Sequence, residues 1–314
     1  MDNQVLIASS KPIDERVLQS ASADMDREGL ESKVLIYSSR EQLLEAVRQA
    51  TYLLVRNDSV DRELLDAAEK LKLVVRLGSG TDTIDASYAA TKGVQVANTP
   101  NANSTAVAEM VIGLMIYFSR NLANPQQNYI GSQLAGKTLG IHGFGNIGKK
   151  VARKALGMDM RVVASDVNPD YESAVKYGVE LASPADLYRQ SHIVSVHIPK
   201  NQNTVGIVDY HLLSSVFGDG ILINTARPEV VNHQDIAVRM MENPNFKYAV
   251  ECRDGDVEGF KERHGLKGFG ERLLVLPKMC SQTAEAHLAV FNDAINIVSR
   301  HYANGKMPGQ FFRH

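Results

Sequence analysis

Three glycines and one aspartate have the spacing of a dinucleotide-binding motif. Gly143, Gly145 and Gly148 follow a short apolar segment in G-x-G-x-x-G spacing, and Asp166 comes 18 residues after the last of them. The first glycine permits a tight turn, the second lets backbone N–H groups approach a pyrophosphate, and the third lets a helix pack closely on a strand. A carboxylate at Asp166 could accept hydrogen bonds from ribose hydroxyls and would repel a 2′-phosphate. The pattern therefore favours NAD over NADP.

The elements predicted around this motif are those that a dinucleotide requires. Residues 137–142 are typical of a buried strand, residues 146–156 of a helix, and residues 161–165 of a second strand that ends at Asp166. The pyrophosphate would lie at the helix N-terminus, where the partial positive charge suits an anion. The glycine spacing alone would also fit a Gly-rich turn in another α/β protein. The order strand, turn, helix, strand makes the dinucleotide interpretation much more specific.

Length and composition exclude several classes of protein. The 314 residues suffice for two domains, and the balance of 34 basic against 36 acidic residues gives no sign of nucleic-acid binding. We find no run of about 18 apolar residues and no secretory signal. Cys252 and Cys280 form neither a C-x-x-C pair nor a metal-binding pattern. We therefore expect a cytoplasmic chain with no membrane or nucleic-acid partner and no metal.

Short apolar segments alternate with amphipathic ones along most of the chain, which indicates α/β structure with parallel sheets. The strands expected before the glycine motif are residues 5–8, 33–37, 52–56, 73–77 and 94–97, and those expected after residue 166 are residues 179–181, 192–199, 221–225, 248–251 and 273–277. Because five strands precede the motif, we expect the first hundred residues to form a separate domain. The charged, Gly-rich residues 253–270 are expected to form a mobile loop.

One long helix is predicted to begin near Ser104. Residues 106–118 are apolar on nearly all sides, which favours burial between domains or subunits, although an ordinary core helix would have the same pattern. A homodimer is the oligomer we expect, because twofold pairs are the commonest soluble assemblies.

Ligands of open parallel sheets bind beyond the carboxyl ends of the strands. The predicted strand ends carry Asp166, Pro199, Thr225, Ala226, Arg227, Glu251, Pro277 and Lys278, and in the first domain Arg56, Gly78, Ser79 and Gly80. We expect the active site to be built from these residues.

Six stretches are together more specific than any single motif. They are VVRLGSGTDTID (74–85), NTPNANSTAVAEMVIGLM (98–115), GKTLGIHGFGNIGKKVA (136–152), VSVHIP (194–199), INTARPEVVN (223–232) and PKMCSQTAEA (277–286). With these stretches the chain resembles the D-2-hydroxyacid dehydrogenase family over nearly its whole length. The resemblance implies two doubly wound parallel-sheet domains. A flavodoxin-like substrate domain would comprise residues 1–99 and 285–314, and a Rossmann NAD domain residues 100–284.

The resemblance also implies catalytic residues. The family's catalytic Arg falls on Arg227, whose guanidinium would bind the substrate carboxylate in two hydrogen bonds and polarise the carbonyl. The family's acid–base His is Lys278 here. Counting five residues on from the strand-end Glu251 assigns the family's acid to Asp256, with Asp254 as the alternative.

Other residues would bind cofactor and substrate by the same resemblance. The expected cofactor-binding residues are Thr105, Gly143, Gly145, Asn146, Ile147, Gly148, Asp166, His197, Ile198, Pro199, Thr204, Thr225, Ala226 and Glu251; the expected substrate-binding residues are Arg56, Ser79, Gly80 and Arg227. Glu251 is expected to face the nicotinamide carboxamide. Arg56 could meet a phosphate, although a solvated charge at a sheet edge is nearly as good an explanation.

Two residues depart from the family pattern. Pro228 replaces the usual Gly and should bias Arg227 toward an extended backbone. Lys278 in place of His is the larger change, because a free lysine titrates near ~10.4 and an acid–base lysine near about 7–8. The positive nicotinamide ring and Arg227 would both lower the pKa of Lys278, which is the direction that acid–base catalysis requires. The alternative is that Lys278 only binds an anion and that catalysis is lost.

The resemblance implies a reaction as well. A short form within the family carries Lys at this position and oxidises D-3-phosphoglycerate. We therefore expect NAD-dependent oxidation of D-3-phosphoglycerate to 3-phosphohydroxypyruvate, a step of serine biosynthesis. Two alternatives stay open: turnover of glyoxylate, hydroxypyruvate or another small 2-keto or 2-hydroxy acid, and a non-catalytic protein that senses NAD(H).

Overall fold

The chain folds as two compact units. The computed structural model describes residues 3–126, 128–252 and 255–305. The first unit contains the chain up to Asn103 and again from Thr283 onward, and the second contains Ser104 to Gln282. The predicted domain boundaries, at residues 99/100 and 284/285, lie within a few residues of these divisions.

Helices and strands alternate along both units. The chain begins with β1 (Gln4–Ser9), α1 (Glu15–Arg27), β2 (Glu31–Ile36), α2 (Arg40–Val47), β3 (Tyr52–Val55), α3 (Arg62–Ala67), β4 (Leu73–Arg76), α4 (Ala86–Thr91) and β5 (Gln95–Asn98). The second unit contains α5 (Ser104–Ser119), β6 (Thr138–His142), α6 (Asn146–Leu156), β7 (Arg161–Ser165), α7 (Tyr171–Tyr177), β8 (Glu180–Leu181), α8 (Pro184–Gln190), β9 (Ile193–Val196), α9 (Tyr210–Ser215), β10 (Ile221–Asn224), α10 (His233–Glu242), β11 (Lys247–Glu251), α11 (Val257–Arg263) and β12 (Leu273–Leu276). The helix α12 (Ala284–Asn304) belongs to the first unit.

The first unit is built on a parallel sheet with the order β2-β1-β3-β4-β5 in the described residues. This is the flavodoxin-like order, so the predicted fold class is confirmed for this unit. All residues of β3 and β4 are buried, as expected for strands covered on both faces. On one face α12 contributes Phe291, Ala294 and Val298 to the core.

The second unit is built on a longer parallel sheet with the order β12-β11-β10-β9-β6-β7-β8 in the described residues. The strand order reverses between β6 and β9, which pair directly, and this is the Rossmann arrangement that the glycine motif predicted. Ligands of such sheets bind at this reversal, beyond the carboxyl ends of the strands.

The polar sequence around residue 260 forms a helix where we expected a mobile loop. The side chain of Asp256 caps α11 by accepting a hydrogen bond from the N–H of Gly259, and Phe260 is buried in the core of the second unit. The loop prediction was therefore wrong for Val257–Arg263. A good cap and one buried aromatic residue determine this helix, and composition alone did not reveal them.

The apolar helix α5 is a core element of the second unit. It begins at Ser104, and the residues buried along it include Val107, Val111 and Phe118. Its other side carries Glu109 and the partly exposed Ile116, so its apolar character is not matched by burial on every side. A role of this helix in a homodimer stays a prediction. No helix in the described part of the chain combines the length and apolar content needed to cross a bilayer.

Candidate active site

The glycine motif forms the turn between β6 and α6. Gly143 has φ +105°, and a Cβ there would lie 2.7 Å from the carbonyl carbon of His197. A Cβ on Gly148 would overlap the carbonyl oxygen of Gly143. Gly145 is the N-cap of α6, makes no side-chain cap, and would place its Cβ in open space. The turn therefore has the tight bend, the close helix packing and the open helix N-terminus that a pyrophosphate requires.

Asp166 follows β7 and lies beside this turn. Its Oδ2 accepts a hydrogen bond from the N–H of Phe144 at 2.7 Å, and its Oδ1 accepts one from the N–H of Asn168 at 2.9 Å. These two bonds fix the carboxylate at the end of the strand, where it can also accept hydrogen bonds from ribose hydroxyls.

Three other predicted cofactor residues lie at helix N-termini. Asn146 and Ile147 are the first two residues of α6. Thr105 lies in the first turn of α5, where its Oγ1 accepts a hydrogen bond from Nζ of Lys150 at 2.8 Å. This contact joins the first turn of α5 to the neighbouring helix α6.

Residues 197–199 continue from β9. The N–H of His197 donates to the carbonyl of His142 at 2.7 Å, and its Nε2 lies 2.8 Å from Oγ of Ser195. Burial, and then His142, lower the pKa of His197 to about 3, so its ring is neutral. Thr204 donates from Oγ1 to the carbonyl of Pro199 and thereby closes the following turn. Residues 197–199 therefore carry no charge at this strand end.

The segment after β10 carries Thr225, Ala226 and Arg227. Asn224, which is buried, accepts from the N–H of Ala226 at 3.0 Å and donates to the carbonyl of Arg227 at 2.9 Å. Arg227 has φ −120° and ψ 132°, so the extended backbone predicted from Pro228 is confirmed. The sequence did not single out Asn224 as the residue that holds this loop. A polar amide at the end of an apolar strand was the feature of the sequence that could have indicated this role of Asn224.

Two polar atoms at these strand ends have no hydrogen-bond partner in the described part of the chain, and they indicate whether the residues present fit a dinucleotide. Nδ1 of His197 and Oγ1 of Thr225 are buried and have no hydrogen-bond partner within the described residues. Buried polar atoms are normally hydrogen-bonded, so both are suited to a polar ligand beside the open helix end at Gly145. With Asp166 on the ribose side, the donors and acceptors fit NAD.

Lys278 follows β12 and contacts the end of the neighbouring strand β11. Its Nζ lies 3.0 Å from Oε2 of Glu251, and the two side chains are 20% and 5% exposed. The other oxygen, Oε1, accepts hydrogen bonds from the N–H groups of Met279 and Cys280 at 2.9 and 2.7 Å. Burial, and then Glu251, raise the pKa of the Cys280 thiol. An ammonium and a carboxylate are thus held together with little access to water.

Asp256, the predicted partner of Lys278, makes other contacts. It caps α11, and its Oδ2 pairs with Nη1 of Arg263 at 3.0 Å on a half-exposed surface. These contacts, first the hydrogen bond from Gly259, lower the pKa of Asp256. Within the described residues, the carboxylate in ion-pair contact with Lys278 is that of Glu251. The alternative, Asp254, lies outside the described residues.

The sheet brings four of the predicted residues of the second unit to one edge. His197, Arg227, Glu251 and Lys278 follow or end β9, β10, β11 and β12, which are neighbours in that order. A guanidinium can bind a carboxylate through two parallel hydrogen bonds, and a paired ammonium can exchange a proton with a nearby oxygen. The arrangement is therefore suited to proton transfer on a bound acid.

In the first unit, Arg56 follows β3. Its Nη2 lies 3.5 Å from Nε2 of His287 on α12, and burial lowers its pKa. The pKa of His287 is lowered by burial and then by Arg56, so the ring beside the guanidinium is neutral at pH 7. Arg56 is thus a half-buried cation rather than a solvated edge charge.

Ser79 and Gly80 lie in the loop after β4. Oγ of Ser79 donates to the carbonyl of Pro100 at 2.9 Å, and the carbonyl of Ser79 accepts from Nδ2 of Asn98. Gly78, with φ +134°, lets the loop turn directly against the Arg76 side chain. The loop is held by its own unit.

Comparison with known proteins links this site to one family. The model for the family "D-isomer specific 2-hydroxyacid dehydrogenase, NAD binding domain" matches residues 113–252. The hydroxypyruvate reductase of Thermotoga maritima is 28% identical over 263 residues, which cover 80% of this chain and 84% of that protein. The D-3-phosphoglycerate dehydrogenase of Mycobacterium tuberculosis is 35% identical over 209 residues, 63% of this chain. This chain spans only 40% of the length of that relative.

A solved structure is similar over the whole chain. The NAD⁺-bound 3-phosphoglycerate dehydrogenase of Entamoeba histolytica superposes with a TM-score of 0.87 at 26% sequence identity, covering 99% of this chain and 98% of that one. The domain that carries the glycine motif is thus an NAD-binding domain, and the predicted cofactor is confirmed.

Proposed function

Because the chain belongs to the D-isomer specific 2-hydroxyacid dehydrogenase family, we propose that it oxidises a D-2-hydroxy acid with NAD and that D-3-phosphoglycerate is its substrate. The observation that carries this proposal is the buried Lys278–Glu251 pair, near Arg227 at the ends of neighbouring strands. A chain that only sensed NAD(H) would have no need of a buried ammonium at this edge.

Each residue has a separate role in the proposed reaction. The guanidinium of Arg227 binds the substrate carboxylate and polarises the oxygen on C2. When bound, NAD supplies the hydride acceptor. Neutral Lys278 takes the proton of the C2 hydroxyl during oxidation, and its ammonium returns the proton to the carbonyl oxygen during reduction.

We assign the positioning of Lys278 to Glu251. The carboxylate is itself fixed by two backbone N–H groups, so it can hold Nζ in one place. Asp256 remains a second candidate for an acidic role, but its contacts with Gly259 and Arg263 support a structural one. This assignment leaves the predicted contact of Glu251 with the nicotinamide carboxamide as a further proposal.

The second part of the proposal is that the substrate carries a phosphate group. Arg56 is a half-buried cation in the first unit, and Ser79 and Gly80 are the proposed carboxylate-binding loop. D-3-phosphoglycerate dehydrogenases recur among the relatives and include one of the similar structures, which supports the phosphorylated substrate and a role in serine biosynthesis. The Thermotoga hydroxypyruvate reductase, of which this chain spans more, supports hydroxypyruvate as the alternative, and glyoxylate stays a further one. A cytoplasmic homodimer is proposed as the working form.

A substrate panel tests this function. We would measure NADH formation with D-3-phosphoglycerate, D-glycerate and D-lactate, and NADH consumption with hydroxypyruvate and glyoxylate. The expected result is a kcat/KM for D-3-phosphoglycerate at least about tenfold above that for D-glycerate, because a hydrogen bond to a charged group contributes about 1.5–3 kcal/mol. Brisk reduction of glyoxylate without oxidation of D-3-phosphoglycerate would favour the alternative. NADH binding without turnover of any of these acids would favour a sensor.

Substitution of Lys278 separates catalysis from cofactor binding. Lys278→Ala should lower kcat by about 10²–10⁴-fold while the Kd for NADH stays within about threefold, because only the proton-transfer group is removed. Lys278→His should restore part of the rate with a lower pH optimum, since imidazole titrates at lower pH. Lys261→Ala, which removes an ion pair with Glu258, is the matched control and should leave kcat unchanged. Normal turnover by Lys278→Ala would remove its proposed role.

A further inference from the structure

The second unit has an open cavity of about 590 Å³ at the amino ends of its strands. Its lining includes Lys137, His192 and Lys247, which stand at the beginnings of β6, β9 and β11. These strands are parallel, so the cavity lies at the edge opposite the glycine motif and Lys278. Strands of four or five residues separate the two edges by roughly 13–17 Å. The cavity is therefore distinct from the NAD site.

Three basic side chains face this cavity and repel one another. Burial, and then Lys137, lower the pKa of His192. Burial also lowers the pKa of Lys247, again with a contribution from Lys137, while Asp219 and Glu271 act in the opposite direction. In the described part of the chain neither lysine lies within ion-pair distance of a carboxylate. Asp219 is the one carboxylate among the described lining residues, so the basic side chains outnumber it and a bound anion would add to their charge compensation.

The hydrogen bonds of these groups hold them in place at the cavity wall. Lys137 donates from Nζ to Oγ of Ser132 at 2.9 Å, and Lys247 donates to the carbonyl of Phe118 at 3.3 Å. Nδ1 of His192 accepts from the N–H of Thr138 at 3.1 Å, so the neutral ring carries its proton on Nε2. Each group keeps at least one further N–H for a ligand.

An aromatic surface adjoins the basic groups. The ring of Phe217 stacks on His192 with centroids 4.4 Å apart and planes inclined by 24°, and Phe217 is 47% exposed. An exposed aromatic face next to cations suits a planar ring that carries a negative group. The cavity volume is also typical of small-molecule sites.

We propose that this cavity binds a small anionic molecule that contains an aromatic ring. Its negative group lies between Lys137 and Lys247, and its ring packs on Phe217. This site does not depend on the proposed dehydrogenase function, because none of these residues belongs to the candidate active site.

The test is NMR of the full-length, NADH-saturated protein with labelled histidines, using phenyl phosphate and benzoate as probes. At least one probe should shift the His192 resonance saturably and raise its titration midpoint, because a nearby anion favours the charged ring. The response to each probe distinguishes a phosphate from a carboxylate ligand. The resonance of His192 is assigned as the one that disappears in the His192→Gln variant. Neutral benzyl alcohol should give no saturable shift, and inorganic phosphate should bind at least about tenfold more weakly, because the ring contributes about 1.4 kcal/mol or more.

Matched substitutions decide whether the shift reports this site. Lys137→Met combined with Lys247→Met should weaken probe binding at least about tenfold, whereas Lys176→Met on the exposed side of α7 should have no effect. Absence of a saturable shift with both probes overturns the proposal, and so does equal binding by the double variant. Equal affinity for inorganic phosphate overturns the aromatic class of ligand. If the protein self-associates and thereby keeps the probes away from His192, the cavity is a contact surface between copies of the chain, and the proposal of a small-molecule site is overturned.

Discussion

At the scale of single residues, Glu251 accounts for how a lysine can occupy the proposed acid–base position. A buried carboxylate is costly unless all its oxygens are satisfied. Glu251 meets this condition with one ion pair and two backbone hydrogen bonds, all from residues 278–280. The same three bonds fix Nζ of Lys278 relative to the strand end. Charge compensation and positioning therefore come from one side chain.

We predict that the charge and the length of Glu251 can be separated by substitution. Glu251→Gln keeps the length and removes the charge, so kcat should fall about 10–100-fold while the Kd for NADH stays within about threefold, because Nζ of Lys278 loses the carboxylate that holds it. Glu251→Asp keeps the charge but shortens the side chain, and should retain part of the kcat. Glu258→Gln, which removes the surface pair with Lys261, is the control and should leave kcat unchanged. An unchanged kcat in Glu251→Gln would contradict the positioning role.

The proposed cofactor residues follow a pattern that is local in the sequence, whereas the contact between Lys278 and Glu251 does not. Gly143, Gly148 and Asp166 could be proposed from spacing because a chain-local turn determines their positions. Asp256 is likewise proposed from spacing, but spacing does not reveal that Glu251 ends a strand adjacent to β12. Two side chains that meet across neighbouring strands cannot be found by spacing alone.

At the scale of elements, the turn between β6 and α6 depends on two glycines for different reasons. Gly148 has no room for a side chain because its Cβ would meet the backbone of Gly143, whereas a Cβ on Gly145 would meet no atom of the protein within 4 Å. Packing therefore explains Gly148. The open space beside Gly145 leaves room for the proposed approach of the pyrophosphate.

We predict that alanine at these two positions has different effects. Gly148→Ala should lower the free energy of unfolding by about 1–3 kcal/mol and weaken NADH binding, because α6 must shift away from the sheet. Gly145→Ala should leave the free energy of unfolding within about 1 kcal/mol and still weaken NADH binding at least about tenfold, because the Cβ enters the pyrophosphate space. Denaturant unfolding measures the free energy of unfolding of each variant, and NADH titration measures its affinity for the cofactor. Gly113→Ala on the exposed side of α5 is the control, and normal NADH binding by Gly145→Ala would contradict the assignment.

The elements that sequence predicted well are those whose pattern is local. Strands such as β3 and β4 are buried on both faces, so they appear in the sequence as short continuous apolar runs. The helix α11 was missed because it is polar and short, and its stability comes from the Asp256 cap and from packing of Phe260 against the rest of the second unit. Tertiary packing of this kind leaves little trace in the local sequence.

At the scale of the whole molecule, buried neutral histidines make stability depend on pH. Burial is the main cause that lowers the pKa of His142 to about 4 and of His197 and His233 to about 3. In the unfolded chain these groups titrate near about 6.5. Between the two values the unfolded state binds more protons, so the free energy of unfolding falls as the pH is lowered through that window.

We predict a measurable share of this dependence for His233, which is 7% exposed. Well below pH 6.5 a histidine of this kind contributes up to about 1.4 kcal/mol per pH unit to the slope. Denaturant unfolding of His233→Gln between about pH 6 and about pH 4 should therefore show a shallower decline than the unsubstituted chain. His211→Gln, which replaces an exposed histidine, is the control. Identical slopes for all three proteins would show that His233 is protonated in the folded state.

The two units have separate cores, and α12 stabilises only the first through the residues that it buries there. Phe291 is 4% exposed in the core of the first unit, so Phe291→Ala should lower that unit's free energy of unfolding by about 3–5 kcal/mol. Hydrogen exchange should accelerate in β1, β3 and β4 but not in β6, β9 and β10, whose core contains no residue of α12. The Kd for NADH should stay within about twofold, because the predicted cofactor residues all lie in the second unit. Leu288→Ala removes a 40% exposed side chain from the same helix and should change the free energy of unfolding by less than about 1 kcal/mol. Equal acceleration in both sheets would mean that the units unfold as one cooperative body.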